Sequence, residues 1–124
     1  MSATILIADD EPNILLSLEF LMKREGFQVL VARDGQEAWA AIEQHRPALV
    51  LLDVMMPVKT GFEVCQAVRE RDELAGVRLL MLTAKGREID VAKGLALGAD
   101  GYMTKPFSTR ELVDKVRGLL GAGA

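Results

Sequence analysis

Ala48-Leu49-Val50-Leu51-Leu52-Asp53 decides how this chain folds. Five consecutive apolar residues stop at an acid. A strand with one wetted face alternates apolar and polar residues, whereas a strand covered on both faces is apolar at every position. Residues 48–52 are therefore expected to form a central parallel strand, with Asp53 just past its carboxyl end. The same arrangement recurs to either side. Residues 4–8 lead into Asp9 and Asp10, residues 77–82 into Thr83, and residues 100–103 into Thr104, Lys105 and Pro106. Residues 27–32 supply one more apolar run. Ligands of open parallel sheets bind beyond the carboxyl ends of the strands. Three acids, a hydroxyl and an ammonium are thus expected at one end of one sheet.

Amphipathic stretches separate these runs. Pro12 suits the first turn of a helix, where its missing N–H costs nothing. Leu15, Leu18, Leu21 and Met22 follow at helical spacing, and Gly26 closes the stretch. Asp34-Gly35 opens a second helix carrying Ala38, Trp39, Ala41 and Ile42, and Pro47 stops it. Thr60-Gly61-Phe62-Glu63 and Ser108-Thr109-Arg110-Glu111 both match capping boxes, opening the third and fifth helices. Residues 86–97 are expected to be a fourth helix closed by Gly98, with Gly94 inside it costing about 1 kcal/mol relative to alanine. That cost predicts mobility in this helix. The order is βα five times over, a doubly wound α/β parallel sheet with helices on both faces.

Composition narrows the function. The 124 residues suit one domain with its own core, and residues 121–124 are expected to be a linker stub or tail. Acids outnumber bases 18 to 15, which disfavours direct nucleic-acid binding. Cys65 is the sole cysteine, so no internal disulfide forms, and a reduced cytoplasmic location is expected. Neither a signal peptide nor a membrane span is legible.

The acids, hydroxyl and lysine suit phosphoryl chemistry. Mg²⁺ prefers oxygen ligands and is commonly held by one or two carboxylates plus phosphate oxygens. A carboxylate can also be the nucleophile, forming an aspartyl phosphate. Asp53 ends the most apolar strand and is the preferred nucleophile, leaving Asp9 and Asp10 for the metal. Lys105 can neutralise phosphoryl oxygens and Thr83 can hydrogen-bond one.

At these positions the chain resembles the receiver domain of bacterial two-component response regulators. The matching pieces are Asp9-Asp10-Glu11, Leu52-Asp53-Val54-Met55-Met56-Pro57, Gly61, Leu82-Thr83-Ala84, Gly98-Ala99-Asp100 and Tyr102-Met103-Thr104-Lys105-Pro106-Phe107. The resemblance runs from about residue 4 to 120. It implies a flavodoxin-like, chemotaxis-regulator-like sheet of order 2-1-3-4-5. It also implies that Asp53 takes a phosphoryl group from the phosphohistidine of a sensor histidine kinase or phosphotransfer protein. Asp10, Asp53 and the Met55 backbone carbonyl would hold Mg²⁺, with Asp9 helping through a water and Mn²⁺ able to substitute. Thr83 and Lys105 would contact the phosphoryl group, Ala84 would leave it room, and the Lys105–Pro106 peptide would be cis. Thr83 would then move inward and Tyr102 rotate into the vacated space. The face made by the fourth helix, fifth strand and fifth helix would carry the signal to an output domain or downstream protein. The chain is expected to be a switch that catalyses only its own phosphotransfer and slow autodephosphorylation. A monomer or a phosphorylation-dependent homodimer is implied. Glu111, Lys115, Lys93 and Asp100 resemble the charged dimer face of winged-helix regulators, although Ala96 and Gly101 stand where that subfamily usually has acids.

Other readings compete at each piece. Acids at residues 9–11 also suit a helix start. A magnesium-dependent aspartyl phosphatase usually places a second acid two residues after its nucleophile, and here Met55 cannot transfer a proton. A flavin carrier needs a hydroxyl-rich phosphate loop where this chain has Asp-Asp-Glu-Pro. A receiver that binds partners without phosphorylation would not need the full acid, threonine and lysine set. His45 is expected at the surface, Cys65 in the packing of the third helix, and the methionines other than Met55 in the core. The apolar Met55 side chain is expected to hinder an in-line water and lengthen the phosphoryl lifetime. Lys85 and Arg87 are assigned to a solvated edge.

Overall fold

The 48–53 run lies in the middle strand of a five-stranded parallel sheet of order β2-β1-β3-β4-β5. The computed structural model describes residues 3–84 and 86–121. Its strands are β1 (Thr4–Ala8), β2 (Gln28–Ala32), β3 (Leu49–Asp53), β4 (Arg78–Ala84) and β5 (Gly101–Lys105). The helices between and after them are α1 (Pro12–Arg24), α2 (Gly35–His45), α3 (Gly61–Arg69), α4 (Glu88–Ala96) and α5 (Thr109–Leu120). The sheet order and the alternating βα plan are those expected. Part of the 121–124 tail and Lys85 lie outside the described residues.

Every residue of β3 is buried, because successive side chains feed opposite cores. Val50 and Leu52 join Leu6, Leu79 and Met81 under α2 and α3. Leu49 and Leu51 join Ile5, Ile7, Leu80 and Leu82 under α1 and α5. Fully burying each such leucine contributes about 2 kcal/mol. This double cover holds the strand ends that carry the polar residues.

Several boundaries move. A short 3₁₀ turn, Asp72–Leu74, precedes β4 and has no counterpart in the sequence reading. β4 runs on through Thr83 and Ala84, and β5 through Thr104 and Lys105, where loops were expected. The register explains this. Thr83 faces Thr104 and Ala84 faces Lys105, so the parallel ladder outlasts the apolar run. Backbone pairing needs no apolar side chain. Thr83 and Lys105 are therefore fixed by the sheet itself.

Helix ends follow local chemistry at α2 and α3 and only in part elsewhere. The α3 capping box forms in full: the Glu63 N–H donates to Thr60 Oγ1 at 3.2 Å and the Thr60 N–H to Glu63 Oε1 at 3.0 Å. At α5 only half forms, with Ser108 Oγ accepting from the Glu111 N–H at 3.0 Å. α2 stops at His45, and Arg46 takes a left-handed φ of 46° ahead of Pro47. α4 begins at Glu88, two residues later than expected, after Gly86 turns the chain at φ 84°.

Gly94 has a packing reason. A Cβ there would meet Met81 Cγ at 3.3 Å, so glycine lets α4 lie close on β4. Val58, in the β3–α3 loop, sits at φ 71°, a region that costs a β-branched residue about 1–2 kcal/mol. Its side chain is exposed and gains little from packing. Val58→Asn is expected to stabilise the protein by about 0.5–1 kcal/mol, since asparagine tolerates this region. Urea unfolding of the two proteins checks it, and a lower midpoint for the variant would refute it.

Candidate functional site

The polar ends of four strands converge on a cleft of about 340 Å³, lined by Asp10, Glu11, Asp53, Val54, Met55, Thr83, Ala84, Arg87, Asp90 and Lys105. The ladder sets the spacing. Ala8, just before Asp9, pairs with Leu52, just before Asp53, and Asp53 pairs with Leu82, just before Thr83. Carboxylate oxygens of Asp9, Asp10 and Asp53 all lie within 4.8 Å of one another.

The three acids are not equivalent. Asp9 is fully buried, Asp53 nearly so, and Asp10 is exposed. Asp9 Oδ1 accepts from the Glu11 N–H at 2.9 Å, and Asp9 Oδ2 accepts from Lys105 Nζ at 2.8 Å. The same ammonium stands 3.6 Å from Asp53 Oδ1 and 3.9 Å from Glu11 Oε1. Lys105 thus bridges the acids, while Asp53 gets a longer contact and a weak 3.4 Å hydrogen bond from the Met55 N–H.

The charge balance follows. Burial, and then the Asp9 charge, push the Asp53 carboxyl up to about 6, against the pull of Lys105 and the Met55 N–H. Burial alone would depress Lys105. The Asp9 hydrogen bond and the charges of Asp53, Asp9 and Glu11 outweigh it and hold the ammonium above the ordinary lysine range. Asp53 is the strained anion of the site, and Lys105 its fixed cation.

Thr83 Oγ1 is buried and has no hydrogen-bond partner among the described residues. A buried hydroxyl left unpaired costs about 1–3 kcal/mol, so its place at the cleft is a donor awaiting an acceptor. Ala84 adds only a methyl group to the wall. A Cβ on Gly61 would run into the Asp53 carbonyl, so only glycine lets α3 start so close to the acid. The Gly61 N–H donates to the Val54 carbonyl at 2.9 Å, which ties the loop after Asp53 to that helix. The Lys105–Pro106 peptide is cis.

The Response regulator receiver domain family matches residues 5–117. This chain is a member of that family. The solved structures agree. A protein assigned as a response regulator of Chloroflexus aurantiacus J-10-fl superimposes with a TM-score of 0.93 at 33% identity, over 97% of this chain and 98% of its own. The chemotaxis protein CheY4 of Vibrio cholerae gives 0.89 at 33% identity, over 96% and 99%. The receiver domain of a signal transduction histidine kinase from Syntrophus aciditrophicus gives 0.90 at 30% identity, over 98% and 92%. Receivers of two-component response regulators are phosphorylation-dependent signalling switches rather than classical enzymes, and the family generally binds Mg²⁺ at an acidic pocket.

Within this receiver, the structure gathers Asp9, Asp10, Asp53, Met55, Thr83, Ala84 and Lys105 at one end of the sheet. The Met55 side chain is exposed beside Asp53. Tyr102 stands apart from the cleft, on β5 opposite Met81, and is 42% exposed. His45 is exposed, Cys65 is buried on α3, and Met22, Met56, Met81 and Met103 are buried. Met1 lies outside the described residues. The sequence reading missed Arg87 and Asp90, which line the cleft from the start of α4. Their i, i+3 spacing was the available signal. No helix among the described residues is long and apolar enough to cross a membrane.

Proposed function

We propose that Asp53 is the phosphoryl acceptor of this receiver, taking the group from the phosphohistidine of a sensor histidine kinase or phosphotransfer protein. The observation that carries the reading is Thr83 Oγ1, buried without a partner among the described residues at the same cleft as Asp53 and Lys105. In the transfer, an Asp53 carboxylate oxygen forms the new bond to phosphorus as the phosphorus–nitrogen bond breaks, and the imidazole nitrogen keeps that electron pair. Thr83 Oγ1 donates to one phosphoryl oxygen. Lys105, already charged and held by Asp9, needs only a small displacement to meet another. Ala84 leaves the approach open.

The donor set fits a hard divalent cation. Asp10, Asp53 and the Met55 backbone carbonyl would hold Mg²⁺, or Mn²⁺ in its place, with Asp9 contributing through a water. When bound, the ion supplies positive charge to the crowded acids and to the phosphoryl oxygens. The all-oxygen cluster of Asp9, Asp10 and Asp53 supports this.

The output follows from the same residues. Thr83 closing on the phosphoryl group vacates space toward Tyr102, and the α4–β5–α5 face changes shape for an output domain or partner protein. Slow autodephosphorylation, an exposed Met55 that hinders water, a cytoplasmic location and a monomer or phosphorylation-dependent dimer belong to this reading.

Intact mass after incubation with acetyl phosphate and Mg²⁺ tests it. One phosphate adduct is expected, lost on adding chelator and lost in Asp53→Asn. An adduct retained by that variant would assign the acceptor elsewhere. Mg²⁺ alone is expected to raise the melting temperature, since at a hundred times its Kd a ligand adds about 2.7 kcal/mol of stability. An unchanged melting temperature in Asp10→Asn, against a rise in the parent, would place the ion on these acids. An equal rise in both would remove Asp10 from the ligand set.

A further inference from the structure

Lys105 is committed before any phosphoryl group arrives. It donates to Asp9 at 2.8 Å and sits within 4 Å of Asp53 and Glu11. Phosphorylation turns the Asp53 carboxylate into an acyl phosphate of roughly two negative charges, about one more than before, and presents its phosphoryl oxygens to a cleft already lined by acids. A second cation lines the same cleft. Arg87 closes the cleft from the N-terminal end of α4, where it is the N-cap residue and makes no side-chain capping bond.

The Arg87 guanidinium is held by one partner. Its Nε donates to Asp90 Oδ2 at 2.8 Å and its Nη2 to Asp90 Oδ1 at 3.3 Å, a two-pronged grip on one carboxylate. The two ends differ in freedom. The Asp90 side chain is 10% exposed and Arg87 is 54% exposed, so the arginine is the end that can leave. A planar guanidinium fits phosphate oxygens as it fits a carboxylate, so Asp90 occupies it in the way a phosphoryl group would.

We propose that Arg87 is a phosphoryl-contacting residue kept in reserve by Asp90, exchanging one anion for the other as Asp53 is phosphorylated. This rests on the reading of Asp53 as acceptor. The exchange leaves Asp90 buried without its partner, in the first turn of α4, where the helix N-terminus only partly compensates the charge. The start of α4 then has a reason to rearrange, which links the chemistry to the α4–β5–α5 face without passing through Tyr102. Before phosphorylation, Asp90 competes with the incoming donor for Arg87.

The competition gives opposite signs to two variants. In the reaction with acetyl phosphate, Asp53 oxygen bonds to phosphorus, the bond from phosphorus to the acetyl oxygen breaks, and acetate leaves with the electron pair. Arg87→Gln removes a charge from the transferring oxygens and is expected to slow adduct formation by about 10-fold. Asp90→Asn releases Arg87 and is expected to speed it by about 2-fold, the rate equivalent of one helical ion pair. The double variant is expected to match Arg87→Gln alone, and Arg87→Lys to fall between the parent and Arg87→Gln. All four are followed by intact mass in the full chain with Mg²⁺, at low salt and again at 0.5 M salt, where the spread is expected to shrink.

A local helix staple would instead make Arg87→Gln and Asp90→Asn alike, and equal rates or equal slowing in the two would overturn the proposal. Should Asp90→Asn fail to fold, the order parent, Arg87→Lys, Arg87→Gln decides, and Arg87→Gln reacting like the parent overturns it. A parent that forms no adduct removes the acceptor reading and this inference together. A parent that reacts normally beside an unaffected Arg87→Gln removes this inference alone.

Discussion

Asp53→Asn is expected to abolish phosphoryl acceptance and, in chelator at pH 7.5, to make the protein more stable. The two effects share a cause. Asp53 ionises near pH 6 in the folded chain, against an ordinary value of 3.8, because burial and Asp9 penalise its charge. A carboxyl raised in this way favours the folded state fully below pH 3.8 and loses that contribution as pH climbs through about 6. Above that pH the folded protein carries a penalty of up to about 3 kcal/mol from this one group. Asparagine keeps the shape and removes the charge. The gain is therefore expected to be about 1–3 kcal/mol at pH 7.5, a rise of about 4–12 °C, since the weakened contact to Lys105 offsets part of it. At pH 4 most of the difference should be gone. Thermal unfolding of both proteins at the two pH values measures it. A variant that is less stable at pH 7.5 would show that the Lys105 contact outweighs the burial of the charge. Adding Mg²⁺ is expected to narrow the gap, because only the parent regains compensation for its third acid.

Lys105→Met should move stability the other way. Asp9 is fully buried, and its Oδ2 depends on the lysine. Breaking such a pair from one side typically costs about 3–5 kcal/mol, because a buried charge is left uncompensated. The Lys105 charge is itself steady across neutral pH. With its ammonium held above the ordinary lysine range, its stabilisation is complete below that range and is lost only as pH rises through the raised value. Because Lys105 also holds the Asp53 carboxyl down, the variant's deficit is expected to grow as pH rises past about 6 and then to level off, and urea unfolding between pH 5 and 9 checks it. Phosphoryl acceptance is expected to fall by about 100-fold or more, the usual effect of deleting a charged donor at developing oxyanions. Lys105→Arg should recover much of the stability and less of the rate, since the fork does not reproduce the point charge. A full recovery of rate would mean that charge, not placement, is what the site requires.

These opposite responses come from one small cluster, and they show which parts of the molecule the sequence carries openly. The central strand was legible because burial on both faces leaves an unbroken apolar run, and no other arrangement explains residues 48–52 as simply. The site residues were legible because each ends such a run. The capping chemistry of α3 was legible because it acts within four residues. The α5 cap forms only in its Ser108 half, and the Glu111 carboxylate does not return the bond to the Ser108 N–H.

By itself, then, the amino-acid order determined the βα alternation, the covered sheet, and the set of acid, hydroxyl and lysine side chains at its strand ends. It did so because hydrophobic burial and local hydrogen bonding are written in near neighbours. Only the tertiary structure decided how the three acids divide their roles, since the 2.8 Å bond from Lys105 to Asp9 joins residues 96 positions apart. It alone extended β4 and β5 through Thr83 and Lys105, because ladder pairing depends on the neighbouring strand and not on the side chain. It also gave Gly94 its reason in the approach of α4 to Met81. And it brought Arg87 and Asp90 into the lining of the cleft, although Arg87 reads along the chain as part of a solvated edge. Contacts between distant residues set charge, burial and approach, and these can be read only when the chain is folded.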